Sequence, residues 1–167
     1  MRATLRMEVR DRTGALLDER VARNTVLRSG GRIIADLFAG LGTPITHMAV
    51  GTSDDEPDSV TVTALANDDG GGGQGLTGDT VAPIAAEDFH VELDEPRRRV
   101  VVRVRATLAS TAAVGTVREA SLMSRRDDED VLYNRVVFPP VQKGGDHELS
   151  LFWEVEFPFG DLQWLVR

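Results

Sequence analysis

The chain opens with a strict alternation of apolar and polar side chains. Leu5, Met7 and Val9 alternate with polar residues over positions 4–10, which is the period of two expected for a strand buried on one face. Turn-forming residues occupy positions 11–14. Residues 15–23 are therefore predicted to return as the second strand of a hairpin.

The apolar spacing then becomes helical. Asn24 offers an N-cap, and Gly40 or Gly42 offers the left-handed residue that commonly follows a helix. The apolar positions between them are Leu27, Ile34, Leu37, Phe38 and Leu41. Two interior glycines at 30 and 31 would cost about 2 kcal/mol relative to alanine. We therefore expect this helix to start after Ser29. The alternative is that the two glycines let another backbone approach closely.

The rest of the chain reads mainly as strands. The periodicity predicts them over 45–51, 89–93, 100–108, 116–124, 131–138 and 149–157. Pro139 and Pro140 are expected to stop the fifth of these, because proline has no N–H for a ladder. Short turns and one early helix predict a mainly β fold, an antiparallel β-sandwich or curled sheet with one N-terminal helix. An α+β fold is the alternative.

Length and local composition predict one domain over 1–167 with two unusual segments. The chain has 167 residues, which is a single-domain length. Residues 52–80 combine acidic clusters with Gly70–Gly73 and Gly75. Ordering such glycines costs much backbone entropy, so a mobile acidic, glycine-rich loop is expected there. The C-terminal tail, 161–167, is apolar.

Charge and cysteine content exclude several functional classes. The net charge is −8, whereas a phosphate-backbone binder needs a basic excess. We therefore expect no nucleic-acid partner. The sequence has no cysteine, which excludes disulfides and thiolate metal sites. No apolar run reaches the roughly 18 residues of a membrane span, and no signal peptide is recognisable, so a cytoplasmic location is expected.

A search for chemistry predicts no catalytic residue, no cofactor and no metal site. His47, His90 and His147 are far apart in sequence, without ligand partners at zinc-site spacing. The acidic clusters near 54–58 and 127–130 do not match a calcium loop, and the glycine run lacks the lysine of a phosphate loop. A basic stripe formed by 97–99, Arg103 and Arg105 is expected to solvate a strand face and blunt an edge. An anionic partner is the other interpretation of the stripe.

Four segments carry a family resemblance when taken together and in order. They are residues 24–31, followed by Ile33, Ile34 and Leu37; residues 45–52; residues 117–122; and residues 134–143, followed by 149–157. In these segments the chain resembles structural proteins of phage-type tails: small tail or baseplate-associated proteins and tail-collar fibre N-terminal domains, of phages and related contractile injection systems. The chain departs from the pattern over 52–89, where the loop after Gly51-Thr52 is expanded.

The resemblance implies a non-enzymatic structural subunit at a baseplate, a fibre attachment or a cap. Its expected partners are further copies of itself, as a homo-oligomer or ring, and other tail, sheath, tube or baseplate proteins. It would be cytoplasmic before assembly and then part of a phage or phage-like particle. Glu119, at a position of the resemblance, is expected to be partly buried and to need a partner. Lys143 is expected to be an exposed turn lysine.

The apolar tail is the predicted assembly interface. Leu162, Trp164 and Leu165 are expected to dock onto a neighbouring subunit, the alternative being that they close the core of their own subunit. Two other functions remain open. One is a β-sandwich carbohydrate- or protein-binding module, although the best-placed aromatic, Trp153, is predicted to face inward. The other is an enzyme whose site is assembled from dispersed carboxylates.

Overall fold

The computed structural model describes residues 2–55, 59–67, 75–126 and 129–160. The five-stranded sheet consists of β1 (Arg2–Arg10), β2 (Leu16–Arg23), β6 (Phe89–Asp94), β7 (Arg99–Leu108) and β11 (Glu148–Pro158). The six-stranded sheet consists of β3 (Thr25–Val26), β4 (His47–Gly51), β5 (Val81–Pro83), β8 (Gly115–Arg126), β9 (Glu129–Leu132) and β10 (Asn134–Lys143). The helix is α1 (Arg28–Phe38), and a short 3-10 turn (Ala86–Asp88) precedes β6.

Both sheets are antiparallel, and they share one core. The first has the strand order β2-β1-β11-β7-β6, and the second has β3-β10-β8-β4-β5 with β9 paired to β8. Leu5 and Trp153 from the first sheet join Met48 and Val117 from the second in a single buried cluster. The predicted mainly β fold with two antiparallel layers and one helix is therefore confirmed. The arrangement is sandwich-like.

The helix starts earlier than its glycines predict. Leu27, not Asn24, is the N-cap residue. A Cβ at Gly30 would lie 1.8 Å from the carbonyl oxygen of Tyr133, so this glycine lets the helix approach the β9–β10 connection closely. The expectation of a late start was wrong, and the close backbone approach that was the alternative is what the structure shows at Gly30. Gly40, with a φ of +72°, follows the helix end as predicted.

The two prolines do not end their strand. β10 runs through them to Lys143, and its register with β8 shifts between Val137 and Val141. From Val137 to Val141 the chain advances four positions on β10, while the paired residues on β8 advance only two. The prolines therefore lie in a β-bulge, where their missing N–H groups cost no hydrogen bond between the strands. The predicted stop at Pro139 was therefore wrong.

Only part of the predicted acidic, glycine-rich loop lies within the described residues. Thr77 forms a bridge with Val114, and Leu76 is buried in the core, so this end of the loop packs against the domain. Gly70–Gly73 and the predicted interface residues Leu162, Trp164 and Leu165 lie outside the described residues. None of the helices in the described ranges is long and apolar enough to cross a membrane.

Candidate functional site: buried charges and exposed apolar residues

A buried ion pair joins two neighbouring strands of the six-stranded sheet. Glu119 on β8 and Arg135 on β10 have only 1% and 3% of their side chains exposed, and Arg135 Nε donates to Glu119 Oε2 at 2.6 Å. A buried carboxylate is costly unless it is paired and hydrogen-bonded. Glu119 was expected to be partly buried and is almost completely buried, and its expected need for a partner is confirmed.

The same ion pair holds the connection that follows β4. Glu119 Oε1 accepts the N–H of Ala66 at 2.8 Å, and Arg135 Nη1 donates to the carbonyl oxygen of Asp55 at 2.6 Å. A Cβ at Gly51 would lie 2.4 Å from Glu119 Oε1, so glycine at the end of β4 makes room for the carboxylate. The ion pair therefore clamps a long connection to the sheet.

A cavity of about 450 Å³ lies beside this clamp. Its walls include Ser53, Ser59, Val62, Ala64 and the ion pair itself. Because both charged groups already bond to each other and to the connection, the arrangement is suited to holding structure in place. We assign it no reaction.

The single lysine of the sequence is the second buried cation. Lys143 is 2% exposed, and its Nζ donates to the carbonyl oxygens of Ala109 at 2.8 Å and Ser110 at 3.0 Å. Burial lowers its pKa, an effect opposed by the charge of Glu148. The expectation of an exposed turn lysine was wrong. Lys143 lies two positions after the buried Val141, and strand alternation points both side chains inward.

The basic stripe lies on the outer face of the five-stranded sheet and is largely neutralised there. Arg103 on β7 pairs with Glu92 on β6 and with Glu154 on β11. Arg99 pairs in the same way with Asp94 and Glu156. Because β7 lies between β6 and β11, the stripe does not blunt an edge, contrary to expectation. Cross-strand pairs of this kind stabilise the sheet.

A groove of about 570 Å³ crosses the same outer face. Phe152 lies beneath two guanidinium groups, with Arg6 4.5 Å and Arg105 5.8 Å from the ring centroid. Both distances are within cation–π range. Trp153, the next residue, is buried in the core as predicted. The ring of Phe152 is thus occupied by side chains of its own sheet.

Apolar residues are exposed at the end of the helix. Phe38 is 96% exposed and Leu41 is 73% exposed. The sequence pattern placed both on the apolar face of the helix, but that face is buried only near its start, at Gly30 and Ile33. The helix therefore projects its last turn beyond the core.

A second exposed apolar group lies at an edge of the five-stranded sheet. Val91 and Leu93 are 66% and 57% exposed, although they point to the same side of β6 as Phe89, which packs against the core. Their cross-strand neighbours are Val102 and Val100. The core-facing side of the five-stranded sheet is therefore buried at Phe89 but exposed at Val91 and Leu93. The alternation in the sequence correctly placed Val91 and Leu93 on the core side of β6. It did not show that no part of the second sheet buries them.

The three histidines are separated in the fold. His47 lies on β4, where its Nδ1 is 2.8 Å from Thr46 Oγ1, and burial, with the nearby Arg125, lowers its pKa. His90 lies on the outer face of β6. His147 Nδ1 accepts the N–H of Gly144 at 3.2 Å. Within the described ranges, no three acidic or histidine side chains are grouped as metal ligands.

Comparisons with protein-family models, curated proteins and solved structures find no match. Any function must therefore be argued from the residues and geometry of this chain.

Proposed function

We propose that this chain is a non-enzymatic structural subunit of a phage tail or of a phage-derived contractile injection particle. It would act at a baseplate, a fibre attachment or a cap by associating with itself and with other tail proteins. Before assembly it would be cytoplasmic. The observation that carries the proposal is the exposure of Phe38 and Leu41 at the end of a firmly anchored helix.

Exposed apolar groups of this kind are typical of surfaces that become buried in a complex. Burying a phenylalanine side chain is worth about 1.5–3 kcal/mol, which Phe38 does not gain within its own subunit. Aromatic anchors held in place before binding contribute most to an interface. The exposed end of α1 is therefore a suitable anchor.

The helix is held in a way that keeps this anchor in position. Ser29 Oγ donates to the carbonyl oxygen of Leu132 at 2.6 Å, and the N–H of Leu27 donates to the carbonyl oxygen of Tyr133 at 3.1 Å. Gly30 brings the helix backbone against the same connection. Little backbone ordering of the helix is then needed when a partner binds.

The carbohydrate-binding alternative has less support. Sugar-binding sandwiches stack sugars on exposed aromatic rings, but Trp153 is buried and Phe152 is covered by Arg6 and Arg105. The predicted docking of Leu162, Trp164 and Leu165 remains a prediction.

The test is sedimentation of a native lysate, followed by mass spectrometry of the fast-sedimenting pellet. The wild-type chain and a Val21→Ser control are expected to pellet with sheath-like and tube-like proteins. Val21 is an exposed apolar residue on β2 of the five-stranded sheet, whereas α1 packs on β9 of the other sheet. Phe38→Ser is expected to remain in the supernatant with an unchanged melting curve. A wild-type chain that stays soluble while such particles pellet would reject the proposal.

A further inference from the structure

The geometry points to a self-association edge: β6 pairs antiparallel with β6 of a second copy of this chain. The two five-stranded sheets would then form one ten-stranded sheet across a two-fold axis. The biological use of this contact rests on the proposed function, to which it adds a named partner and surface. Three observations lead to it.

The first observation is the contrast between the two edges of the five-stranded sheet. On β2, Asp18 and Arg20 form an ion pair on the core side of the strand, and the register with β1 shifts next to Val9. Inward charges and irregular pairing are devices that protect an edge from other strands. β2 is therefore a poor acceptor for another strand.

β6 carries neither device. Its sequence, Phe89–Asp94, contains no proline or lysine, and its pairing with β7 is regular throughout. Its inward side chains are Phe89, Val91 and Leu93, of which the last two are exposed. Within the described part of the chain, β6 pairs with β7 alone. Its other side presents a regular backbone edge.

The second observation is that the side chains of β6 are complementary to themselves. When Val91 lies opposite Val91 of the second copy, Phe89 meets Leu93 twice on the inner face. On the outer face His90 meets Glu92 twice, so that each imidazole N–H faces a carboxylate. Cross-strand pairs of both kinds stabilise antiparallel sheets.

The third observation concerns the neighbouring register. Shifting it by one pair would place Glu92 opposite Glu92, and like charges directly opposite one another are destabilising. Arg103 already bonds to Glu92 within each subunit and holds the carboxylate on the outer face. The sequence of β6 therefore disfavours the register centred on Glu92 and fits the register centred on Val91.

The expected association of the free protein is weak. A pair of six-residue strands falls below the roughly 1,000 Å² that stable interfaces bury. Repetition of the contact in a particle would strengthen it through effective concentration. The test must therefore include covalent cross-linking of the dimer as well as a measurement of its mass in solution.

Single-cysteine variants trap this pair cleanly because the native chain has no cysteine. Directly opposed residues in antiparallel strands have Cα atoms about 4.5–5.5 Å apart, which is within disulfide range. Val91→Cys is expected to oxidise readily to a dimer. Val21→Cys, equally exposed on β2, is the matched control and is expected to cross-link at least tenfold more slowly. Faster cross-linking of Glu92→Cys than of Val91→Cys would overturn the register.

Sedimentation equilibrium over a concentration series supplies the second measurement. The wild-type and Val21→Lys proteins are expected to show average masses that rise from 18.2 kDa towards twice that value. Val91→Lys, which opposes two ammonium groups at the two-fold axis, is expected to stay monomeric. A wild-type mass that stays at one subunit, with Val91→Cys no faster than its control, would overturn the inference.

The reactivity of the Val91→Cys thiol towards a maleimide identifies what else occupies the edge. A slow reaction in a monomer would mean that another segment of the same chain, such as 161–167, covers β6. A fast reaction without a disulfide would mean that a different protein, or none, is the partner. Both outcomes reject the second copy. Cross-linking without pelleting rejects only the proposed function, and pelleting without cross-linking rejects only this inference.

Discussion

Two regions of this molecule reverse the usual distribution of polar and apolar groups. In the six-stranded sheet, Glu119, Arg135 and Lys143 are charged groups in the interior. At the edge of the five-stranded sheet, Val91 and Leu93 are hydrocarbon side chains in solvent. The interior charges each hold a connecting segment through backbone hydrogen bonds. The comparison shows that the buried charges stabilise the fold of one subunit. The exposed apolar side chains contribute little to its stability.

The largest expected effect is on the ion pair. Glu119→Ala removes the Glu119 carboxylate from the buried guanidinium of Arg135 and leaves the N–H of Ala66 without its acceptor. Breaking a buried pair in this way costs about 3–5 kcal/mol. Urea denaturation is expected to show that loss in the free energy of unfolding.

The double variant Glu119→Leu with Arg135→Met is the control, because removing both charges removes the desolvation penalty. It is expected to recover part of the loss. A Glu119→Ala protein as stable as the wild type would show that the clamp contributes little, and the contrast between the regions would fail.

A smaller effect is expected for the second interior charge. Lys143→Met keeps a side chain of similar length but removes the hydrogen bonds from Nζ to the carbonyl oxygens of Ala109, which still accepts the N–H of Ala112, and Ser110. A lost hydrogen bond from a charged group costs about 1.5–3 kcal/mol, offset here because an ammonium no longer has to be buried. A net loss of about 1 kcal/mol in urea denaturation is expected. A loss as large as that of Glu119→Ala would contradict this ranking.

The stability difference between the wild type and Lys143→Met should depend on pH. Burial lowers the pKa of Lys143 from its ordinary value of 10.5, so the folded state releases this proton at a lower pH than the unfolded state. Between the lowered pKa and 10.5 the unfolded state binds more protons, and wild-type stability rises with pH. Unfolding curves of both proteins up to pH 10.5 should diverge in favour of the wild type. A difference that is constant with pH would contradict the burial of a charged ammonium.

The smallest stability effect is expected at the exposed edge. Val91→Ser removes a methyl-bearing side chain that lies mostly in solvent, and such surface changes are usually within about 0.5 kcal/mol. Thermal melting of dilute protein should show no resolved change. A destabilisation above 1.5 kcal/mol would show that Val91 is covered within its own subunit, and the contrast with the interior would disappear.

Period-two alternation predicted most of the strands, although β4 and β8 are buried on both faces. The rule that proline ends a strand failed at β10, where a bulge accommodated both prolines. Helix propensity failed at Gly30, because only the folded chain brings the carbonyl group of Tyr133 against that position. Local rules cannot include a contact made by residues about a hundred positions apart.

The candidate site was predicted less well than the fold. Burial of Glu119 followed from its alternation with Val117, but its partner Arg135 lies on the neighbouring strand, and the sequence does not reveal their pairing. Lys143 was misjudged because the double proline was expected to end the strand and to leave this lysine in a turn, although its spacing from Val141 held the correct signal. The exposure of Phe38 depends on where the core ends, which is a property of how the layers meet.

The burial of Lys143 has a consequence for the surface chemistry of the protein. It is the single lysine in the sequence, so no lysine side chain presents its amine to solvent, and the exposed side-chain cations are arginines. Reagents and enzymes that modify lysine side chains, including acetylating and ubiquitin-conjugating enzymes, would find no accessible target there without local unfolding. Lysine modification would therefore report the opening of the β10 end of the sheet.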